Sequence, residues 1–304
     1  MRVSVCVATY NRSASLDRLL RSLVQQGVSE IVVHDDASTD DTSEVLGRYD
    51  VTVVRSPANV GPAAGRNRAW RAATGDLVLF TDDDCVPVEG WAAAHAAAFA
   101  ASRITVGRVG PDPAQEHLLG PFSRTMVVES AAAFATCNIG YPRALLEETG
   151  GFDETFRRAA GEDTDLGLRA VSAGADVVFL EDALVHHDVR PSSWVAAVKE
   201  TRKWVDVPLF AAKHEPIEGV LHSKHWWRQT HPVAVLAGAA VLGTAVTPYA
   251  LVGVVPWVRL RTTYAAVNAR RRQWPWVLPA TLLVDLAEVA VLARGSVKHR
   301  NLVL

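Results

Sequence analysis

Cysteine is scarce: Cys6, Cys85 and Cys137 are the only three in 304 residues, an odd number at wide spacing. That excludes a disulfide framework and reads as reduced thiols in a reducing compartment. Neither G-x-G-x-x-G nor G-x-x-x-x-G-K-[ST] occurs, so the ordinary dinucleotide and P-loop cradles are absent. The net charge is only -2, too small a field to recruit nucleic acid. The opening MRVSVCVATYNR has a short apolar run before polar residues, the mark of a strand and not of a signal peptide. No internal repeat is visible.

The most telling absence is local. From Gln229 to Val258 there are 30 residues without Asp, Glu, Lys or Arg, more than the roughly 20 that cross a bilayer core. A second apolar stretch, 274–293, is interrupted by Asp285 and Glu288, and an Arg-rich linker (Arg259, Arg261, Arg270, Arg271, Arg272) separates the two. Upstream, Trp194, Trp204, Trp226 and Trp227 mingle with Lys203, Lys224 and Arg228, as in an interfacial aromatic belt. These features divide the chain into a catalytic-looking domain, 1–215, and a membrane-associated region, 216–304.

Before that tail, short β-rich runs alternate with helical patterns, which predicts an α/β fold around a parallel, doubly covered sheet. VSVCVAT, EIVVHDD, VTVVR and DLVLF are the first four strands. Leu16, Leu19, Leu20, Leu23 and Val24 recur at helical spacing up to a stop at Gly27, and Pro62 follows Gly61 as a first-turn proline. The run AAAHAAAFAA is a helix with a structural His95, and Asp40 and Asp41 cap a short helix. Ligands of such sheets bind outside the carboxyl ends of the strands. Here those ends read TYNR, DDASTDD and TDDDC, so one shared polar cleft is expected.

Asp82, Asp83 and Asp84 repel one another where a strand leaves the core. Clustered carboxylate oxygens suit a hard divalent cation that also meets substrate phosphates; capping of the following helix is the simpler alternative. Glu162 and Asp163 open a second helix whose Leu166, Leu168 and Val171 are expected to face inward, and capping is open there too. Transfer with inversion needs one carboxylate to take a proton and a cation to neutralise a departing diphosphate. Two acidic clusters would serve those two tasks.

The ordered segments VATYNR, VVHDDAST, GPAAGRNRAW, FTDDDC, ATCNIGYPRALLEETGGFDE and GEDTDLGLR resemble the family 2 glycosyltransferases over residues 2–190. The resemblance implies the GT-A nucleotide-sugar-binding fold, mostly a parallel twisted sheet flanked by helices, and inverting chemistry. It implies that Thr9 and Tyr10 pack on the nucleobase, Asp36 accepts from its N3–H, and Arg66 approaches the diphosphate or ribose. Asp82 and Asp84 match the D-x-D pair, Asp84 the direct ligand of Mn²⁺ or Mg²⁺ and Asp82 nearer the ribose, with Asp83 and Glu162 completing the donor set. Asp163 matches the catalytic base, and Asn138 and Gly151 fall close to the donor sugar. In LVHHDVRPS, position favours His187 over His186 as a late metal ligand, and Cys85 carries no role.

Expected partners are a nucleotide-sugar donor, a lipid-linked or other glycan acceptor, and a membrane. Nucleotide sugars are generally cytosolic, so the catalytic domain is expected at the cytoplasmic face of the cell membrane. The 229–258 run either spans once or bends near Pro248 and re-enters; charge counting does not choose. Asp285 and Glu288 are costly in lipid and should face protein or water.

Overall fold

In the computed structural model, residues 1–214, 221–223, 225–264 and 273–304 are described. Lys224, Arg270, Arg271, Arg272 and the expected 215/216 boundary lie outside them. The chain forms two compact units: Met1–His117 with Thr125–Val189, and Leu118–Arg124 with Arg190–Leu304.

The first unit is built in the order β1 (Val3–Thr9), α1 (Ser13–Leu23), β2 (Glu30–Asp35), α2 (Thr42–Leu46), β3 (Thr52–Arg55), α3 (Pro62–Ala72), β4 (Leu77–Phe80), β5 (Cys85–Pro87), α4 (Trp91–Ala97), β6 (Arg103–Pro111), β7 (Ile139–Pro142), α5 (Arg143–Thr149), α6 (Glu162–Ser172) and β8 (Asp176–His187). One mixed sheet runs β3-β2-β1-β4-β7-β6-β8-β5. β1, β2, β3 and β4 are parallel, so Thr9, Asp35 and Phe80 end at one edge, while β7 runs antiparallel to both β4 and β6. Val5, Val7, Val32, Val33, Val78 and Leu79 are buried, as strands covered on both faces require. Leu16, Leu19, Leu20 and Leu23 bury one face of α1 against this core, and the chain leaves the helix through Gly27 at φ +64°. Val24 is exposed, beyond the last buried turn.

Two sequence expectations are corrected in detail. Val171 is exposed on α6, because the inward face is Leu166 and Ala170, with Leu168 at its edge. On α2 the cap is Asp40, whose Oδ1 accepts from Thr42 N and Oγ1, whereas Asp41 at the N-cap position makes no capping bond.

The second unit contains α7 (Trp194–Glu200), α8 (Val207–His214), α9 (Thr230–Gly243), α10 (Val255–Tyr264) and α11 (Trp274–His299), with 3₁₀ turns at Thr201–Asp206 and Pro248–Val254. Ala234, Ala237 and Trp257 pack with Leu278, Leu282 and Leu286, joining α9, α10 and α11. A separate packing joins Val207, Ala211 and Leu292. By length and composition, α11 is the one described helix that could cross a membrane.

Candidate active site

The shared edge of β1, β2 and β4 collects the polar strand ends. Asp82, Asp83 and Asp84 follow β4, the first pairing with Arg66 and the other two sharing Arg12. Arg66 on α3, itself buried, reaches Asp82 Oδ1 at 2.8 Å with one nitrogen and Glu162 Oε1 at 2.8 Å with the other. One guanidinium thus bridges the two acidic clusters, 96 residues apart in the second pair. Asp83 turns inward and accepts from Thr9 Oγ1 at 2.8 Å and Arg12 Nη1 at 2.6 Å. The same Arg12 nitrogen lies 3.1 Å from Asp84 Oδ2.

His187 closes the group from β8. The antiparallel register sets Cys85 opposite His187, and Nε2 of His187 lies 3.6 Å from Asp84 Oδ1. Its Nδ1 faces the Asp188 carbonyl at 2.9 Å, which fixes the ring. Asp84, Cys85 and His187 offer ligand atoms within 4.8 Å of one another. Two donors each about 2.1 Å from a common Mg²⁺ stand about 3 Å apart, so the Asp84 and His187 pair fits a divalent cation with a small adjustment. Cys85 does not fit a hard ion: burial and the neighbouring Cys137 thiol keep it protonated, well above its ordinary pKa.

Charge balance shapes the protonation of the cluster. Burial raises the Asp83 carboxyl to about 6 against the pull of Arg12. At Asp82 burial pushes upward as well, but Arg66 overrides it and holds the group below the usual carboxylate range. Burial and the adjacent Asp163 raise Glu162 to about 7, with Arg66 opposing. Burial likewise raises Asp163, although its Oδ1 accepts from Thr164 N at 2.7 Å. Glu162 Oε2 is buried without a hydrogen-bond partner among the described residues. Both acids sit in the first turn of α6, after Gly161 at φ +101°, where the helix N-terminus favours negative charge.

The structure therefore brings together Thr9, Arg66, Asp82, Asp83, Asp84, Glu162, Asp163 and His187, and Tyr10 stands exposed beside them in sequence. Asp36 has a local task just after β2. Both its oxygens already accept backbone amides, Val60 N at 2.8 Å and Gly61 N at 3.0 Å, so it ties down the start of α3, the helix that carries Arg66. Asn138, directly before β7, is held from all sides. Its amide is fully buried and spent on Arg108 O, Ala183 O, Trp91 Nε1 and His95, which also fixes His95 as a core residue. Gly151 packs against Asn67 and Trp70 with φ +75°. Arg12 was missed: the signal was a count of three aspartates against one nearby cation, which leaves room for a second.

Comparison with known proteins places this geometry. The profile of Glycosyl transferase family 2 matches residues 4–127, and that of Glycosyl transferase family group 2 matches residues 117–287. The chain is 32% identical over 213 residues to a pre-mycofactocin glycosyltransferase of Mycobacterium tuberculosis, covering 64% of this chain and 44% of that protein. It is 30% identical over 218 residues to a validoxylamine A glucosyltransferase of Streptomyces hygroscopicus, covering 57% and 52%. The alignments thus take in only about half the length of these relatives.

Among solved structures, the fold matches mannosyltransferase PcManGT from Pyrobaculum calidifontis in complex with GDP-Man and Mn²⁺, at TM-score 0.58 and 20% identity, over 98% of this chain and 87% of that one. It also matches TarS 1-349 of S. aureus in complex with UDP-GlcNAc, at TM-score 0.53 and 20% identity, over 99% and 93%. These likenesses establish the GT-A fold. With the group profile extending over more than half of the 304 residues, the chain belongs to the family 2 glycosyltransferases.

Proposed function

We propose that the protein is an inverting, metal-dependent glycosyltransferase that moves a sugar from a nucleotide donor to a membrane-associated acceptor, a lipid-linked saccharide or polyprenyl phosphate. The observation that carries this reading is the Arg66 bridge between Asp82 and Glu162, which holds the aspartate cluster beside a carboxylate pair of raised proton affinity. Asp163 is the base: it takes the acceptor hydroxyl proton as that oxygen bonds to the anomeric carbon and the nucleoside diphosphate leaves from the opposite face. Asp84 and His187, with Asp82, would hold Mn²⁺ or Mg²⁺. When bound, the cation neutralises charge on the departing diphosphate. Thr9 positions Asp83, Tyr10 offers an exposed ring to the base, and Arg66 stays ionised throughout.

The donor half of the reading draws support from GDP-Man and UDP-GlcNAc in the two fold relatives. The membrane half, with the catalytic domain 1–215 at the cytoplasmic face, rests on the apolar region from Gln229 onward. Transfer to a soluble or protein-linked glycan is the second reading, favoured by the named substrate of the validoxylamine A relative. The test is a donor screen: purified chain, Mn²⁺ or Mg²⁺, a panel of nucleotide sugars, and nucleoside diphosphate release as readout. One donor should be hydrolysed slowly without acceptor and faster with it. Release of pyrophosphate instead would identify a nucleotidyltransferase.

A further inference from the structure

The second unit contains a helix packed inside out. Along its apolar part α9 buries Ala234, Ala237 and Ala240, with Thr230 and His231 buried at its start, and leaves the larger Val235, Leu236, Val241 and Leu242 exposed. Exposure of large apolar residues continues through Val246, Tyr249, Leu251, Val252 and Val255. A helix bathed in water arranges these sizes the other way, and contiguous apolar surface of this kind marks an interaction site.

The surroundings say what covers it. The uncharged run is flanked by Trp226, Trp227 and Arg228 before it and by Arg259 and Arg261 after it. Arg228 lies over the Trp227 ring at 4.4 Å and Lys203 over Trp204 at 4.6 Å. Amphipathic rings with stacked cations beside an uncharged apolar face complement a bilayer with anionic headgroups.

The fold then limits how deep the chain can go. α9 has 14 residues, about 21 Å at 1.5 Å per residue, short of the roughly 30 Å hydrocarbon core. After the turn at Val246 the chain doubles back: Gly253 backs onto Ala240 and Leu236, and Gly243 faces Ala250, so the 3₁₀ turn lies along α9. α11 is long enough to span, yet its middle is pinned by charge. Asp285 accepts from Trp257 Nε1 at 2.8 Å and Arg261 Nε at 3.0 Å. Glu288 meets His231 at 3.1 Å and Arg228 at 3.6 Å. Further along, Gly295 lies against the Val205 carbonyl, and Lys298 and His299 both reach Asp206. A spanning α11 would drag these groups into hydrocarbon, at a few kcal/mol for each charge by insertion scales.

We propose that α9, the Pro248–Val254 turn and the start of α10 form a re-entrant hairpin that inserts into one leaflet of an anionic bilayer. The chain does not cross, and both flanks of the hairpin stay on the face it entered from. This deepens the membrane half of the reading above, and its test has no sugar-transfer readout, so the two can fail separately.

The three native cysteines are buried, so single cysteines can be introduced into the full chain by Val246→Cys and Thr263→Cys. Each is labelled with an environment-sensitive fluorophore and mixed with phosphatidylglycerol/phosphatidylcholine vesicles. The probe at 246 should shift to the blue, be quenched by lipid-borne quenchers, and be shielded from aqueous quencher on both sides; the probe at 263 should remain accessible from outside. Quenching of the 246 probe by reagent trapped in the lumen would overturn the proposal in favour of a crossing. A 246 probe that stays in water would overturn it in favour of a protein partner. Leu242→Asp with Val252→Asp, both at exposed positions, should leave the circular dichroism unchanged and cut vesicle binding at least tenfold; unchanged binding would equally refute the insertion.

Discussion

Each unit of this protein buries a cluster of acids and bases, and the two are settled in opposite ways. In the second unit the two carboxylates of α11 each have their own donors: Asp285 has Arg261 and Trp257, and Glu288 has His231 and Arg228. In the first, Asp82, Asp83, Asp84, Glu162 and Asp163 share Arg12, Arg66 and His187. Among the described residues acids outnumber cations there, three carboxyls are pushed upward, and Glu162 Oε2 is left over. A balanced cluster holds helices together. An acid-rich one retains proton affinity and anionic charge that a substrate and a cation can use.

The largest expected effect separates these two roles through chemistry. Asp163→Asn removes the proposed proton acceptor and keeps the shape, so transfer should fall by about 10² to 10⁴-fold, while donor affinity measured by calorimetry should stay nearly unchanged. Transfer at the normal rate would remove Asp163 from the mechanism. Next in size are the two cations at the centres of the clusters. Arg66→Met strands Asp82 and Glu162 together, and Arg261→Met strands Asp285 with Trp257 still donating. Breaking a buried pair costs about 3–5 kcal/mol, and denaturant unfolding should show the greater loss for Arg66→Met. The reverse order would mean that the second cluster is the less balanced of the two.

A third effect is a slope. Glu162 titrates near 7 when folded, against an ordinary 4.5, so between these values the folded state holds a proton that the unfolded state has released. Its contribution is full below about pH 4.5 and fades as pH rises through 7, and Asp83, near 6, acts in the same direction. In metal-free buffer, stability should therefore decline across that window, and Glu162→Gln should flatten the decline. A wild-type curve that is flat from pH 4.5 to 7 would show that the first cluster is as well compensated as the second.

Much of this was legible in the sequence, and the residues say why. The first four strands fall within a residue of their expected bounds, because covered β-runs and their turn residues are local signals. Glu162, Asp163 and the aspartate triad stand out by composition alone. Arg12 did not, since its pairing with Asp83 joins positions 71 apart that only the sheet brings together. Nor were the local tasks of Asp36 and Asn138 visible: Asp36 accepts one amide on each oxygen from Val60 and Gly61, just before α3, and the Asn138 amide is buried in the core. A sequence marks a polar residue at a strand end; it does not say which backbone groups will claim it first. Val171 failed for a smaller reason, an inward stripe one residue narrower than the apolar pattern.

The smallest effect tests whether the second cluster is balanced with something to spare. Arg228 is 42% exposed and lies 3.6 Å from Glu288, so its attraction is screened by water, and a pair of this kind contributes about 0–1 kcal/mol. Its guanidinium also rests on the Trp204 and Trp227 rings. Arg228→Ala should thus lower stability by under about 1 kcal/mol, with His231 left to hold Glu288. Arg228→Lys keeps the charge but loses the planar stacking, and should recover only part of that loss. A fall comparable to that of Arg261→Met would show that Glu288 depends on Arg228 as Asp285 depends on Arg261, leaving His231 an idle neighbour.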